Sequence, residues 1–570
     1  MRLPRSLWVT LWLLGSILGS TSAGFASAYN ARPKLVVVIV IDQFRGDYLE
    51  RYRDQFGDGG FRVFLDRGAY FTDCNYDYAN TRTAPGHATL FTGSYSSGHG
   101  IVANEWWDPR EKKRVMSVED DGTKLVGVDR AGPGASPHNL MSDTLGDELK
   151  LATGGKARVF AISLKDRAAV LPAGFSGDAA YWIDPKSGDW ITSTYYRPDL
   201  PEWVRNFNGS HPPEGRASER RAEKFWNREW KDSEGKTLGS TAPRNGKDGA
   251  PASFYEVVGS TPFANDYQLE FAKELILYEK LGAGSATDLL VISLSANDIL
   301  GHQVGPDSPQ MRSMALELDR SLAEFFNFLG HQIGMANVWM ALSADHGVAP
   351  LPDYAKTLRL PAANLDAKAV REQINSLLSK KYLKKADYVL DLDYPVAWLN
   401  EEAFAGTPGG KDESVAEGDV GEAMKHAGLA GYFTKSQLAR GDTPATEIGR
   451  RYAHSYSPEG GWYVMGMPNP FQVGIPKGTD HATPFSYDTH VPLAFYGLAF
   501  QPGIYRTHAE PVDLAVTLAS LLGINAPAQA TGRVLTEALQ PPHHSTASSA
   551  APSSLQPAMP AAAPHAGGAQ

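Results

Sequence analysis

Four short, almost wholly apolar runs each open into a loop bearing a charged or metal-competent side chain, and this pattern restricts the chain to folds that gather strand ends. The runs are Leu35 to Ile41, Arg158 to Ile162, Asp288 to Leu294 and Val338 to Leu342. Their continuous apolar character is that of strands buried on both faces. The first leads to Asp42, the second to Lys165 and Arg167, the third to Asp298 and the fourth to Asp345-His346. Helical patterns lie between them, such as Ser142 to Leu151 behind a Ser cap, and Met311 to Leu329. Alternating strand and helix predicts an α/β protein with a mostly parallel central sheet and helices on both faces. In such sheets ligands bind at the carboxyl ends of the strands. His490 instead precedes its run, Val491 to Tyr496, so that strand is expected to be antiparallel or its loop to fold back over the site.

The chain has 570 residues and a net charge of −10. That charge argues against a broadly basic surface for nucleic acid, and an anionic substrate would need a local positive site. Arg2 and Arg5 precede the apolar stretch Leu7 to Leu18, and small residues follow, ending in Ala26-Ser27-Ala28. This is the layout of a secretory signal peptide over 1–28 cleaved after Ala28, so a periplasmic or secreted protein without a stable membrane span is expected. The single cysteine, Cys74, leaves oxygen and nitrogen as the metal donors within the chain. A catalytic domain is expected over 29–540, with cap-like insertions at about 178–265 and 351–470. The Pro-, Ala- and Ser-rich stretch 541–570 reads as a disordered tail.

Asp42, Asp298, His302, Asp345, His346 and His490 supply three carboxylates and three imidazoles, enough for two zinc ions with a position left open on each. Asp298 and His302 are spaced so that one helical turn aims both at one metal, and Gly347 after Asp345-His346 eases a sharp turn. The segment Asn80 to Gly93 reads as a loop entering a helix with Pro85 in its first turn. Thr83 there faces free backbone N–H groups at the positive end of the helix, where it either caps the helix or, beside a metal, acts as a nucleophile. Lys165, Arg167 and Asn104 are candidates for the phosphate oxygens. His87 reads as structural, His99, Asp480 and His481 lie near motifs without filling a vacant role, and His454 could line the pocket although nothing in the spacing requires it.

Asp42, Thr83-x-Pro-Gly-His, Asn104, Lys165-x-Arg167, Asp298-x3-His302, Asp345-His346-Gly347 and Asp488-Thr489-His490 together resemble the alkaline phosphatase superfamily. They are most similar to the bacterial phosphate-irrepressible alkaline phosphatases with a threonine nucleophile, which are related to nucleotide pyrophosphatase/phosphodiesterases. The resemblance runs from about Pro33 to Leu539. It implies an alkaline-phosphatase-like fold with inserted cap segments and two zinc ions, one held by Asp298, His302 and His490, the other by Asp42, Asp345 and His346 with Thr83. It implies hydrolysis of small-molecule phosphate monoesters through a phosphothreonine, with Asn104, Lys165 and Arg167 contacting the phosphate.

The same metals would serve a phosphodiesterase or nucleotide pyrophosphatase, and a non-catalytic metal- or phosphate-binding protein could retain the fold. A sulfatase would need Cys or Ser in place of Thr83, and the export signal weighs against a phosphomutase. The oligomeric state is left open, a monomer being compatible with every feature of the sequence.

Overall fold

The computed structural model describes residues 32–209, 221–245, 252–409, 412–458 and 461–540; the expected signal peptide and C-terminal tail lie outside them. The strand Leu35–Ile41 forms the middle of an eleven-stranded sheet. It pairs in parallel with Asp288–Leu294 on one side and Val338–Ser343 on the other. Val159–Ser163 and Ala179–Ile183 extend the parallel region. Every residue of these strands is buried, as β-branched runs covered on both faces require. Leu493–Tyr496 joins Val338–Ser343 antiparallel, which is the direction expected from the position of His490.

The helix expected from Ser142 begins instead at Leu145, with Thr144 as its cap and Asp147 completing a reciprocal capping box; two satisfied backbone donors outweigh one distant serine. The longer helix runs Pro309–Gln332 behind a Ser308 cap. Within 178–265, Ala179–Ile183 and Trp190–Ser193 are strands of the main sheet. The aromatic density there is explained by packing, with Trp190 stacked on Phe271 at 3.9 Å between ring centroids. Within 351–470 a separate four-stranded sheet forms from Val389–Asp393, Val396–Leu399, Tyr463–Met467 and Gly431–Thr434. It has its own core around Ile374, Phe404, Val420 and Met424.

The helix Glu447–His454 holds this second layer against the loop that leads to Thr83. Asp77 in that loop accepts from Arg450 Nε at 2.5 Å and from its terminal nitrogen at 3.0 Å. His454 Nδ1 lies 2.8 Å from the Asp77 carbonyl oxygen and 3.2 Å from its carboxylate, with its ring stacked on Tyr95. Burial alone would lower the His454 pKa, but hydrogen bonds to Asp77 and the charges of Asp77 and Glu510 raise it above the usual histidine value. A group whose pKa is raised by folding stabilises the protein fully below its unfolded pKa, about 6.5 for histidine, and the gain is lost as pH climbs through the raised folded value. The urea midpoint should therefore fall more in the parent chain than in His454→Gln as pH rises from about 6.5 through the raised value of His454. Parallel pH profiles would remove this role.

Candidate active site

Asp42, Asp298, Asp345 and His346 converge just beyond the carboxyl ends of the three central strands. Asp42 directly follows Leu35–Ile41, and Asp298 and His302 stand one turn apart on the helix Ala296–Val304. His302 Nε2 is 3.1 Å from Asp298 Oδ1. His346 Nε2 is 3.5 Å from Asp42 Oδ1 and 3.6 Å from Asp345 Oδ2. These last three atoms are buried without a hydrogen-bond partner, an arrangement that a shared cation satisfies and that is otherwise costly.

His490 does not join them. Its Nε2 lies 3.0 Å from the Thr72 carbonyl oxygen, and its ring covers the backbone of Gly46, where an added Cβ would meet it at 2.6 Å. The imidazole in the cluster is His481, whose Nε2 lies 3.9 Å from Asp298 Oδ1 and whose ring stacks on His346 at 3.8 Å. The motif Asp488-Thr489-His490 serves the site through Asp488, which accepts from Thr483 N at 3.0 Å and Thr483 Oγ1 at 2.6 Å and so braces the loop carrying His481. The adjacent Asp480-His481 pair is the sequence signal that would have found it.

The three clustered histidines share one orientation. Nδ1 sits on a backbone carbonyl in each: Thr479 for His302 at 2.8 Å, Gly347 for His346 at 2.9 Å and Thr81 for His481 at 2.6 Å. Such a bond fixes the tautomer and turns the Nε2 lone pair toward the carboxylates. Burial pushes His346 and His481 below the usual histidine pKa. Burial acts the same way on His302, but Asp298 overrides it and raises the value to about 9.

Lys165 reaches the same centre, with Nζ 2.6 Å from both Asp42 Oδ2 and Asp298 Oδ2. Burial would raise the Asp298 pKa, yet Lys165 and His302 hold it well below the usual range. Asp345 lacks such a partner, and burial with Asp42 nearby pushes it well above. Gln43 was not anticipated. Its backbone lies in the left-handed region at φ 63°, its N–H donates to Asp345 Oδ1 at 3.0 Å and its Nε2 to Asp298 Oδ1 at 2.6 Å. One strained residue thus ties the two carboxylates together, as functional sites often do.

Thr83 is the first residue of the helix Thr83–Thr92, with Pro85 in the first turn. Gly86 lets this helix approach the loop carrying Asp345, since a Cβ there would lie 2.3 Å from the Asp345 carbonyl oxygen. Close approach also accounts for Gly347, where a Cβ would lie 2.3 Å from the Tyr487 carbonyl oxygen; its φ is not in the left-handed range that a glycine turn would need. Asn104 Oδ1 accepts from Ala84 N at 2.8 Å, which leaves its amide N–H groups for an anion beside Thr83. Arg167 is half-buried, loosely paired with Asp166 at 3.7 Å, and its Nε has no partner. His87 is a packing residue, held by the Thr83 carbonyl and Ser293 Oγ at 2.8 Å each, and burial drives its pKa down to about 3.

A family model described as type I phosphodiesterase/nucleotide pyrophosphatase matches residues 36–428. A Myroides odoratus protein named calcium-transporting ATPase is 34% identical over 91% of this chain and 97% of its own length. The alkaline phosphatase PafA of Elizabethkingia meningoseptica is 33% identical over 93% of this chain and 98% of its own. The crystal structure of wild-type PafA superposes with a TM-score of 0.79 at 30% identity, covering 89% of this chain and 99% of that one. A PafA variant with a Thr changed to Ser and an Asn, a Lys and an Arg changed to Ala superposes at 0.77, at 31% identity and the same coverage. The chain belongs to the type I phosphodiesterase/nucleotide pyrophosphatase family, within the alkaline phosphatase superfamily.

Proposed function

We propose that this chain hydrolyses phosphate monoesters by passing the phosphoryl group through Thr83 at a site for two divalent ions. The observation that carries the reading is the convergence of three carboxylates and three histidines, each with Nε2 presented, beside a helix that begins with Thr83. Asp298, His302 and His481 would hold one ion, and Asp42, Asp345 and His346 the other, with Thr83 beside it. This corrects the sequence-based assignment of His490. The mixed nitrogen and oxygen donors fit zinc. When bound, the ions would supply positive charge for both the attacking and the departing oxygen.

Thr83 Oγ1 attacks phosphorus, losing its proton, as the ester P–O bond breaks and the alcohol leaves with a proton. Water then attacks the phosphothreonine, phosphate departs and Thr83 regains its proton. Asn104, Lys165 and Arg167 meet the non-bridging oxygens, and a monoester, with one more negative charge than a diester, gains more from two cations there. Lys165 bridges two carboxylates that the ions would neutralise in its place, which would free its ammonium for the substrate. The four residue types replaced together in the PafA variant are those of Thr83, Asn104, Lys165 and Arg167, and their separations agree to within one residue: 21, 61 and 2 here against 21, 62 and 2 there. The Myroides name suggests ion transport; no helix among the described residues is long and apolar enough to cross a membrane, and the site favours the phosphatase reading. The N-terminal signal pattern supports export, with cleavage after Ala28.

Three tests follow from the assigned roles. Thr83→Ala should lower turnover of an aryl monoester by about 10³-fold or more while both metals stay bound by elemental analysis; retained activity would move the nucleophile elsewhere. Lys165→Ala with Arg167→Ala should lower kcat/KM for the monoester by about 10²–10³-fold per donor removed and affect a bis-aryl diester far less. Equal losses on the two esters would favour the diesterase reading. Finally, His481→Ala should lose about one metal per chain and most activity, whereas His490→Ala should keep both metals.

A further inference from the structure

The C-terminal end of the helix Ala367–Tyr382 carries a feature that phosphoryl transfer does not use. The sequence there is Lys380-Lys381-Tyr382-Leu383-Lys384-Lys385, four lysines in six residues of a chain with net charge −10. Leu383 between them is 93% exposed, more than any other large apolar residue described, and has φ 53°. Glycine occupies this helix-ending conformation without the Cβ penalty that leucine bears. Neither packing nor backbone geometry therefore accounts for a leucine here.

The lysines are explained only in part by the fold. Lys380 and Lys381 lie in the last turn, where cations complement the helix dipole, and Lys381 pairs with Asp419. Lys384 and Lys385 lie beyond the helix. Lys384 Nζ donates to the carbonyls of Ala403 at 2.9 Å and Ala405 at 3.2 Å, so its position is fixed while its charge is not neutralised. Alongside runs a groove of about 900 Å³ whose charged lining is Arg371, Lys380, Lys384 and Lys385 against Glu372 and Asp387.

We propose that this tip docks on a membrane leaflet bearing anionic phospholipid headgroups, with Leu383 entering the headgroup boundary and the surrounding lysines meeting the lipid phosphates. A soluble polyanion would use the ammonium groups but has no use for a projecting leucine. An uncharged lipid surface would use the leucine but not the lysines. Each lysine near an anionic leaflet strengthens binding about fivefold, which gives a weak, reversible, salt-sensitive attachment.

The test is co-sedimentation of the full chain with phosphatidylcholine vesicles with and without phosphatidylglycerol, the difference between the parent chain and its tip variants removing the contribution of Arg2, Arg5 and the apolar stretch Leu7 to Leu18, which all share. Phosphatidylglycerol-dependent binding that falls with salt is expected. Lys380→Glu with Lys385→Glu should weaken it about 25-fold or more. Leu383→Gly should weaken it several-fold while raising the melting temperature, because the left-handed backbone is relieved. That opposite pair of shifts separates docking from folding, and turnover of a soluble monoester should be unchanged in both variants. Binding that ignores phosphatidylglycerol, equal sedimentation of the charge-reversed variant, or capture of inorganic polyphosphate without capture of vesicles would overturn the proposal.

Discussion

Asp42, Asp298 and Asp345 are buried within reach of one another, and the rest of the site is organised by the need to neutralise them. Lys165 meets two of the three at 2.6 Å. At an effective dielectric of about 20, each contact is worth about 6 kcal/mol of attraction, set against several kcal/mol for desolvating each ion. Lys165 together with His302, which pairs with Asp298 at 3.1 Å, offsets roughly two carboxylates, and the third is left over. That is why Asp345 is driven toward its protonated form while Asp298 is held ionised. Two divalent cations would remove the imbalance, so the electrostatics that leave one carboxylate uncompensated also suit the site to metal.

The neutral groups around the carboxylates are fixed by backbone. Three carbonyls, from Thr479, Gly347 and Thr81, set the tautomers of His302, His346 and His481. Asn297 Nδ2 donates at 3.0 Å to the carbonyls of Asp42 and Gln43, which holds Gln43 in its left-handed conformation. Strain at that one residue is offset by its bonds to Asp345 and Asp298. Ligand direction thus depends on loops whose backbone is already hydrogen-bonded, as a preorganised site requires.

Most of this arrangement is legible in the sequence where a clustered carboxylate or imidazole follows an apolar strand or repeats at helical spacing. Asp42, Asp345 and His346 follow strands, and Asp298 and His302 share a helical turn, so local pattern fixes their location. His481 follows no strand and lies in an irregular loop, braced locally by Asp488 and aimed by Thr81, a contact far away in the chain. His490 borders a strand and has the better local signal, but its Nε2 is taken by Thr72. The aromatic stretch after 178 misleads for a related reason: Trp190 is in the main sheet, and its stacking partner Phe271 is remote in sequence. Gln43 has no signal at all, since a strained glutamine is visible only once its two carboxylate partners are placed.

The segment Thr81-Arg82-Thr83 shows how the second layer becomes part of the site. Arg82 has extended backbone, φ −131° and ψ 162°, so its side chain points opposite to its neighbours. It donates to the Tyr394 carbonyl at 2.6 Å and pairs with Asp393 at 3.0 Å, gripping the small sheet. Thr81 turns the other way. Its hydroxyl donates to the Thr483 carbonyl at 3.0 Å and accepts from Ala482 N and Thr483 N, while its own carbonyl receives His481. Every bonding position of Thr81 Oγ1 is thereby used, which disqualifies it as a nucleophile. Thr83 on the same side has no such partners among the described residues. Separating these two threonines requires both the loop that carries His481 and the sheet that holds Arg82, so the second layer decides which hydroxyl is left without a partner beside the carboxylates.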